Sequence, residues 1–362
     1  MTWRHFDRSL GCLISPALDE LATQLSFVEG LSARERDVIT DATRESLYTV
    51  LHSKVSRLLV LELNAARVTG RLSGENSEQR WQQFLELSSQ QSFWDDLASQ
   101  YPSVLSRADT IVRKRCVATL RFAQRWTTDR HRLEGLCAGD PGELHELSFE
   151  AGDSHRGGET VAIVRGEGWR VVYKPRSLAI DNALRGFVAE LGNDHGSALN
   201  VRIPQVVDCG DYGWAEFVTH RFAAGDEELL SFYRGIGQLL ALMRVLSGSD
   251  LHAENVIAQG GTPVVVDCET LFTPKIPPSP SGYGGAVDRA SELIARTVLS
   301  IGVLPGRGMG LGWRGVDLSA VGMLPGQQPM QQQQGIIDAG TDEAHVGPIL
   351  VEAPVSQNHP SP

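Results

Sequence analysis

The sequence predicts an α+β protein in which a helical N-terminal region precedes a region of short strands and helices. Two observations lead to this prediction. Apolar residues recur every three or four positions in the first 145 residues, and from Leu144 onward short β-rich runs replace that pattern. Glycines and a proline within residues 135–142 separate the two patterns and mark a boundary.

The N-terminal region, residues 1–145, contains the clearest helix signals. Ser32 and Glu35 have the spacing of a capping box, in which each side chain accepts a hydrogen bond from the other residue's backbone amide. An apolar stripe downstream predicts one long amphipathic helix; its members are Leu47, Leu51, Val55, Leu58, Leu61 and Ala65. Further helices are predicted around residues 81–87 and 108–126. These stripes indicate core packing, and the region offers no chemistry of its own.

The next region alternates strands and helices. Strands are predicted at residues 144–149, 160–165 and 169–174, the last two joined by Gly166-Glu-Gly168 as a hairpin. A helix at 182–191, strands at 205–209 and 214–218, and a helix at 228–246 follow. Three strands, a helix and further strands is the order of a kinase N-terminal lobe, although this order alone fits many α+β folds.

Composition and charge exclude several classes of protein. The chain has 362 residues, of which 41% are hydrophobic and 21% charged, as in ordinary globular proteins. A net charge of −11 argues against a broad electrostatic grip on nucleic acid. The sequence shows neither a transmembrane segment nor a signal-peptide core. Its five cysteines contain no C-x-x-C pair, so reduced thiols and a cytoplasmic location are predicted.

Most of the negative charge lies in the middle of the chain. Residues 146–272 carry 10 basic and 18 acidic side chains, against 18 and 19 in residues 1–145. An acidic pocket repels phosphate unless a divalent cation intervenes, so a nucleotide bound here is expected to bind through a metal. The alternative is a solvated acidic surface that keeps the protein soluble.

Two segments have the spacing of a kinase catalytic centre. Asp250 and Asn255 match D-L-x-x-x-N, in which Asp orients the substrate hydroxyl and Asn coordinates magnesium. Seventeen residues after Asp250, an apolar run ends at Asp267, where kinases place their main metal-binding carboxylate. The first match alone is common by chance and fits an Asp that caps a turn. The second segment, at the right distance, favours the catalytic interpretation.

Upstream, Lys174 closes a predicted strand in Val171-Val-Tyr-Lys174 and resembles the kinase lysine that pairs with nucleotide phosphates. The alternative is a snorkelling surface lysine. Glu190 on the following helix is the predicted partner of Lys174, and Glu216 is the other candidate. The polar loop 152–158 lies where kinases have a phosphate-covering loop, but it lacks a full G-x-G-x-x-G.

Together these segments resemble a known family. The motifs are Asp153-Ser154-His155, Val172-Tyr-Lys174-Pro-Arg176-Ser, Asp250-Leu-His252-x-Glu254-Asn255 and Val266-Asp267-Cys-Glu269-Thr-Leu-Phe272. They are similar to the dehydratase domain of class II lanthipeptide synthetases, the LanM type. Residues 58–67, followed by Arg80-Trp-x-x-Phe84, resemble that family's N-terminal helical region. The resemblance runs from about residue 40 to about residue 322 and ends in two motifs at 297–305 and 317–322.

The resemblance implies a lipid-kinase-like, two-lobed core that phosphorylates Ser and Thr of a ribosomal precursor peptide with ATP and Mg²⁺. The same site then eliminates the phosphate to leave dehydroalanine or dehydrobutyrine. A separate zinc-binding cyclase domain forms the thioether rings in that family.

The resemblance also implies residue roles. Lys174, with Glu190 and the segment Asp153, Ser154 and His155, is expected to bind the nucleotide. Asn255 and Asp267 are the predicted Mg²⁺ ligands, and Asp250 is the predicted group that orients the hydroxyl.

His252 is predicted to stabilise phosphate or move a proton, with a structural histidine as the alternative. Glu269 is predicted to support either a second metal or the lysine.

The predicted organisation is a helical region at 1–145, a kinase-like part of the dehydratase domain at 146–322, and a low-complexity, disordered tail at 323–362. No cyclase motif is present, and the family's elimination groups lie further downstream. A truncated synthetase, incomplete at its C-terminus, is therefore expected, with the missing C-terminal part as a second partner beside the precursor peptide.

Two other functions remain open at the level of sequence. One is a kinase-like phosphotransferase for a small-molecule or lipid acceptor. The other is a catalytically dead fragment that binds peptide.

Overall fold

The computed structural model describes residues 5–149, 156–194, 199–272, 274, 279–306, 315–322, 326–353 and 356–362. The chain forms two compact units. The first unit comprises Met1–Pro175 and Gln334–Ile349, and the second comprises Arg176–Gln333 and Leu350–Pro362.

The first unit begins with a bundle of helices, as the sequence predicts. These helices are α1 (Asp7–Ser26), α2 (Ala33–Val68), α3 (Ser77–Ser88), α4 (Gln91–Gln100), α5 (Ser103–Asp129) and the short α6 (Glu134–Cys137). The capping box at the start of α2 is confirmed, because the Ser32 side chain accepts from the Glu35 amide and the Glu35 carboxylate accepts from the Ser32 amide. The sequence patterns did not indicate α1 or α4.

The buried face of α2 differs from the predicted stripe in its second half. Leu47, Leu51 and Val55 are buried as predicted, but Leu61 is 54% exposed. The buried face continues instead through Leu59 and Leu63 in steps of four residues. Each step of four residues turns about 40° beyond one full turn of 3.6 residues, so the buried stripe winds slowly around the helix.

Glu35 also joins the helices to the first strand. Its carboxylate, which is fully buried, accepts hydrogen bonds from the Trp126 indole at 2.9 Å and the Leu144 amide at 3.2 Å, and it pairs with Arg130 at 3.3 Å. A buried carboxylate is stable only when it is paired and hydrogen-bonded in this way. The start of α2, the end of α5 and the entry to the strands therefore meet at one side chain.

Three antiparallel strands follow in the first unit: β1 (Glu146–Ser148), β2 (Ala162–Arg165) and β3 (Arg170–Lys174). The hairpin between β2 and β3 is confirmed, with Val164 opposite Val171. Tyr173 on β3 is buried, and its hydroxyl accepts a hydrogen bond from Arg125 of α5 at 2.5 Å. Burial raises the pKa of Tyr173 to about 12, with Arg125 opposing that change.

The second unit contains the remaining elements up to residue 333. These are α7 (Ala179–Asp194), β4 (Val206–Asp208), β5 (Gly213–Glu216), α8 (Asp226–Val245), β6 (Val256–Gln259), β7 (Thr262–Val265) and α9 (Gly285–Ala295). β4 pairs with β5 and β6 pairs with β7, both antiparallel. The core of this unit packs α8 against the β6–β7 hairpin, with Phe232, Leu239 and Met243 fully buried.

The prediction that residues 323–362 form a disordered tail is wrong for much of this range. The structure places β8 (Gln331–Ile337) and β9 (His345–Val351) there, and the two strands pair with each other. The loop between them carries Asp342, whose side chain is fully buried and bonded to Arg80 of α3 at 2.5 Å. The strand β8 was missed because Gln331–Gln334 contains none of the β-branched or aromatic residues that favour strands. The Arg80–Asp342 contact was missed because its partners are 262 residues apart and leave no local sequence signal.

The overall class agrees with the prediction: the chain is an α+β protein with a helical N-terminal region. Among the described residues, none of the helices combines the length and apolarity needed to cross a bilayer.

Candidate functional site

The β6–β7 hairpin brings two predicted site residues to the same end of one small sheet. Val256 of β6 lies opposite Val265 of β7, and the Val266 amide donates to the Asn255 carbonyl at 2.9 Å. Asn255 directly precedes β6, and Asp267 follows β7 with only Val266 between them. The antiparallel register therefore brings an amide and a carboxylate, 12 residues apart in sequence, to one edge.

The loop that carries Asp250 is closed by Asn255. The Asn255 side-chain amide donates to the Asp250 backbone carbonyl at 2.7 Å. Asp250 has a φ of +59°, a conformation that Asn and Asp adopt more readily than most residues. Its carboxylate is 64% exposed, so a substrate hydroxyl can reach it. The five-residue spacing thus produces a tight loop with an outward carboxylate.

Two contacts hold this loop on the second unit's core. Leu251 is buried, and its amide donates to the Ile301 carbonyl at 2.8 Å. Gly302 has a φ of +93°, and a Cβ there would lie 3.2 Å from the Leu251 backbone. Only glycine meets both the conformation and the close approach.

His252 lies beside Asp250 in the same loop. Its Nδ1 accepts from the Glu254 amide at 3.4 Å, so the proton of the neutral ring belongs on Nε2. Nε2 lies 3.7 Å from a carboxylate oxygen of Asp250. This distance exceeds that of a hydrogen bond, but it allows an attraction once the ring is protonated.

The side chains of Asp267 and Glu269 reach solvent, whereas the side chain of Cys268 between them is buried. The two acidic side chains are 35% and 49% exposed. After Glu269, the Thr270 hydroxyl bonds to the Ser249 carbonyl and ties this segment to the loop before Asp250.

One arginine binds this pair of carboxylates. Arg176 donates to Asp267 at 2.6 Å and pairs with Glu269 at 3.1 Å. On its other side it forms a two-nitrogen contact with Asp181, at 2.7 and 3.3 Å. Burial alone would lower the pKa of Arg176, but the Asp181 hydrogen bond and the three negative charges raise it above its ordinary value.

Arg176 and Asp181 were not among the predicted site residues. The sequence contained a signal for Arg176, since it belongs to the Lys174-Pro-Arg176 motif and is one of few cations in an acidic region. Its three partners lie 5, 91 and 93 residues away, so the sequence alone could not show which carboxylates it binds.

The predicted nucleotide lysine, Lys174, ends β3 in the first unit and is 7% exposed. This burial is unlike that of a snorkelling surface lysine, whose charged end stays in water. Glu190 lies on α7 with an exposed side chain. Glu216, the other candidate partner, binds Arg202 at 2.8 Å. Asp153, Ser154 and His155 lie outside the described residues.

The donor atoms at the hairpin edge suit a hard cation. An amide oxygen and a carboxylate are ligands that Mg²⁺ takes, completed by water and substrate phosphates. Within the described ranges there is no group of three or more His, Cys, Asp or Glu that could hold a metal ion. A metal held by Asn255 and Asp267 would take its further ligands from water and from nucleotide phosphates.

A short segment around residue 358 contacts the loop that carries Asp250 and His252 and the residues that pair with this loop. Asn358 is buried, and its side-chain amide donates to the carbonyls of Ser319 and Ala320 at 3.3 and 3.1 Å. Ser319 lies directly across from His252 in an antiparallel bridge. Ser356 also donates to the Ala253 carbonyl at 2.7 Å. These residues were predicted to be disordered, yet they contact the loop that carries His252.

Comparison with known proteins supplies a relationship for this site. A family model described as "Domain of unknown function (DUF4135)" matches residues 101–362. The chain is 26% identical over 250 residues to the "Lacticin 481/lactococcin biosynthesis protein LcnDR2" of Lactococcus lactis subsp. lactis. That match covers 67% of this chain and 27% of the relative, so the chain spans little more than a quarter of the relative's length. The resemblance to class II lanthipeptide synthetases is confirmed by these matches.

Proposed function

The chain belongs to the family described as Domain of unknown function (DUF4135), and from this premise we propose that it acts in lanthipeptide biosynthesis as an ATP-dependent kinase. The acceptor is a Ser or Thr side chain of a ribosomal precursor peptide. In the class II synthetases this phosphorylation is the first step of dehydration. The observation that supports the proposal best is the β6–β7 hairpin, which gathers Asp250, Asn255 and Asp267 at one edge.

Asp250 is the proposed proton acceptor. In the reaction, the peptide hydroxyl oxygen forms a bond to the γ-phosphorus of ATP, the bond to ADP breaks, and the hydroxyl proton goes to the Asp250 carboxylate. Its exposure leaves it accessible to a peptide, and the Asn255 bond to its backbone fixes its direction. His252, whose Nε2 lies 3.7 Å from this carboxylate, is the proposed group that stabilises phosphate or moves a proton.

Asn255 and Asp267 are the proposed magnesium ligands. When bound, Mg²⁺ supplies the positive charge that neutralises the phosphoryl group during transfer. Asn255 uses its amide nitrogen on the Asp250 carbonyl, so its amide oxygen remains for the metal. Lys174 is the proposed ligand of the nucleotide phosphates, and Glu190 its proposed partner. These roles follow the family motifs that Lys174, Asn255 and Asp267 match.

The direct test is mass spectrometry of a precursor peptide encoded beside the gene, after incubation with the purified chain, ATP and Mg²⁺. We expect phosphorylated Ser or Thr from the wild type and none from Asp250→Asn. Asp96→Asn, which changes an exposed carboxylate on α4, is the matched control and should retain activity.

Other outcomes separate the alternatives. An unmodified peptide would contradict the proposal and favour a peptide-binding role without catalysis. Transfer of labelled phosphate only to lipids or small molecules would favour a kinase with a different acceptor. Loss of water from the peptide would show that elimination follows phosphorylation on this chain.

A further inference from the structure

The contacts of Arg176 differ on its two sides. Its bond to Asp181 is buried, since the Asp181 side chain is 5% exposed. Its bonds to Asp267 and Glu269 are with carboxylates that are 35% and 49% exposed. Because water can replace a partner only at an accessible contact, the Asp181 side is the fixed one and the Asp267 side is the exchangeable one.

The charges around Arg176 do not balance. One guanidinium faces three carboxylates, which leaves this group of four residues with a formal charge of −2. A single divalent cation would neutralise it. The carboxylate that the proposed function assigns to that cation, Asp267, already gives one oxygen to Arg176 at 2.6 Å.

We propose that Arg176 neutralises Asp267 when no metal is bound, and that it competes with the magnesium ion for the Asp267 carboxylate. In this proposal, which rests on the proposed function, metal binding replaces the Arg176–Asp267 ion pair while Asp181 keeps the guanidinium in place. Arg176 is then a positioning residue that sets metal affinity. Before metal and nucleotide bind, its positive charge reduces the repulsion between Asp267 and Glu269. It also weakens metal binding, because the metal has to displace the ion pair.

The direction of the effect on metal affinity distinguishes competition from simple structural support. A residue that only supports the site weakens metal binding when it is removed. A competing cation strengthens metal binding when it is removed, because the metal no longer displaces an ion pair. Arg176→Gln removes the charge and keeps hydrogen-bonding capacity toward Asp181. Arg176→Lys keeps the charge but loses the planar guanidinium group, whose several N–H donors bridge two carboxylates.

The experiment is a titration with Mn²⁺, followed by electron paramagnetic resonance of the free ion, because Mn²⁺ prefers the same oxygen ligands as Mg²⁺. It is run without nucleotide on the wild type, Arg176→Gln and Arg176→Lys. Arg185→Gln, an exposed position on α7, serves as the control. We expect Arg176→Gln to bind Mn²⁺ at least about 5-fold more tightly than the wild type, within the usual range for coupled ligands. Arg176→Lys is expected to bind more tightly than the wild type by a smaller factor, and Arg185→Gln to match the wild type.

Mn²⁺ binding that is unchanged or weaker in a folded Arg176→Gln variant would overturn the competition. If that variant does not fold, the same comparison with Arg176→Lys decides, and unchanged or weaker binding there has the same meaning. A wild type that binds Mn²⁺ neither alone nor with ATP would instead remove the metal site from the proposed function, and this inference with it.

Discussion

The side-chain amide of Asn255 donates a hydrogen bond to the backbone carbonyl of Asp250 at 2.7 Å, so the two ends of the D-x-x-x-x-N motif are in contact. The spacing of five residues places the amide across a single tight loop. Asn255 therefore holds the backbone of Asp250, the proposed proton acceptor, and is also a proposed metal ligand.

Asn255→Asp separates these two roles. A carboxylate is a good magnesium ligand, but it has no proton to donate to the Asp250 carbonyl. We expect Mn²⁺ affinity to be kept or increased while the phosphoryl-transfer rate falls roughly 10- to 100-fold, the range for losing a supporting hydrogen bond at a metal site. The measurements are metal titration and phosphopeptide formation on the same preparation.

Asn182→Asp on α7, an exposed position, is the matched control for the added charge. A wild-type transfer rate in Asn255→Asp would show that the bond to Asp250 does not position the proton acceptor.

Lys174→Met tests the proposed role of Lys174 in binding the nucleotide phosphates. Methionine keeps the length and the apolar stem of this buried side chain, so the fold is expected to survive. Transfer should fall by about 10²- to 10³-fold because a cation that stabilises the transferred phosphate is lost. Circular dichroism checks the fold, and Lys54→Met, an exposed position on α2, is the control. Transfer at the wild-type rate would mean that Lys174 has no role at the phosphates.

The Arg80–Asp342 pair predicts that the loop between β8 and β9 stabilises the first unit. The buried Asp342 carboxylate accepts bonds from both Arg80 and the Ser77 hydroxyl, the latter at 2.6 Å. Asp342→Asn removes the charge and one acceptor, and we expect the melting temperature to fall by several degrees. The control is Asp338→Asn in the same loop, whose carboxylate is 58% exposed. Equal melting temperatures for the two variants would contradict a supporting role for the loop.

His359 predicts a loss of stability in mild acid. Burial, and to a smaller extent the neighbouring His220, lowers the pKa of His359 below its ordinary value of 6.5. The unfolded chain therefore takes up a proton at a higher pH than the folded chain does. The contribution of His359 to stability is full above pH 6.5 and is lost as the pH falls through the lower folded pKa.

Urea unfolding between about pH 7.5 and about pH 5 measures this contribution. His359→Gln is expected to show a smaller loss of stability over this range than the wild type. His131→Gln, an exposed position after α5, should behave like the wild type. Identical pH profiles for the wild type and His359→Gln would contradict the prediction.

Local patterns predicted the elements that are defined by neighbouring residues. The Ser32–Glu35 capping box and the β2–β3 hairpin were found because their partners are 3 to 11 residues apart. The same holds for the strand that ends before Asp267. The strand β6 was not identified, because Val256-Ile-Ala-Gln259 is too short to show a period without its partner.

The features that the sequence did not reveal depend on distant contacts. Asp342 and Arg80 are 262 residues apart, and Arg176 and Asp267 are 91 residues apart. The spacing of Asp250 and Asn255 predicted a catalytic loop. It gave no indication that Arg176 binds Asp267, the predicted metal ligand.

Calorimetric titration of ATP with and without Mg²⁺, using the wild type and Asp267→Asn, tests whether carboxylate and amide oxygens at the β6–β7 edge bind nucleotide through a divalent cation. We expect measurable ATP binding to the wild type only with Mg²⁺, and loss of most of that affinity in Asp267→Asn. Equal ATP affinity with and without Mg²⁺, or unchanged affinity in Asp267→Asn, would contradict this expectation.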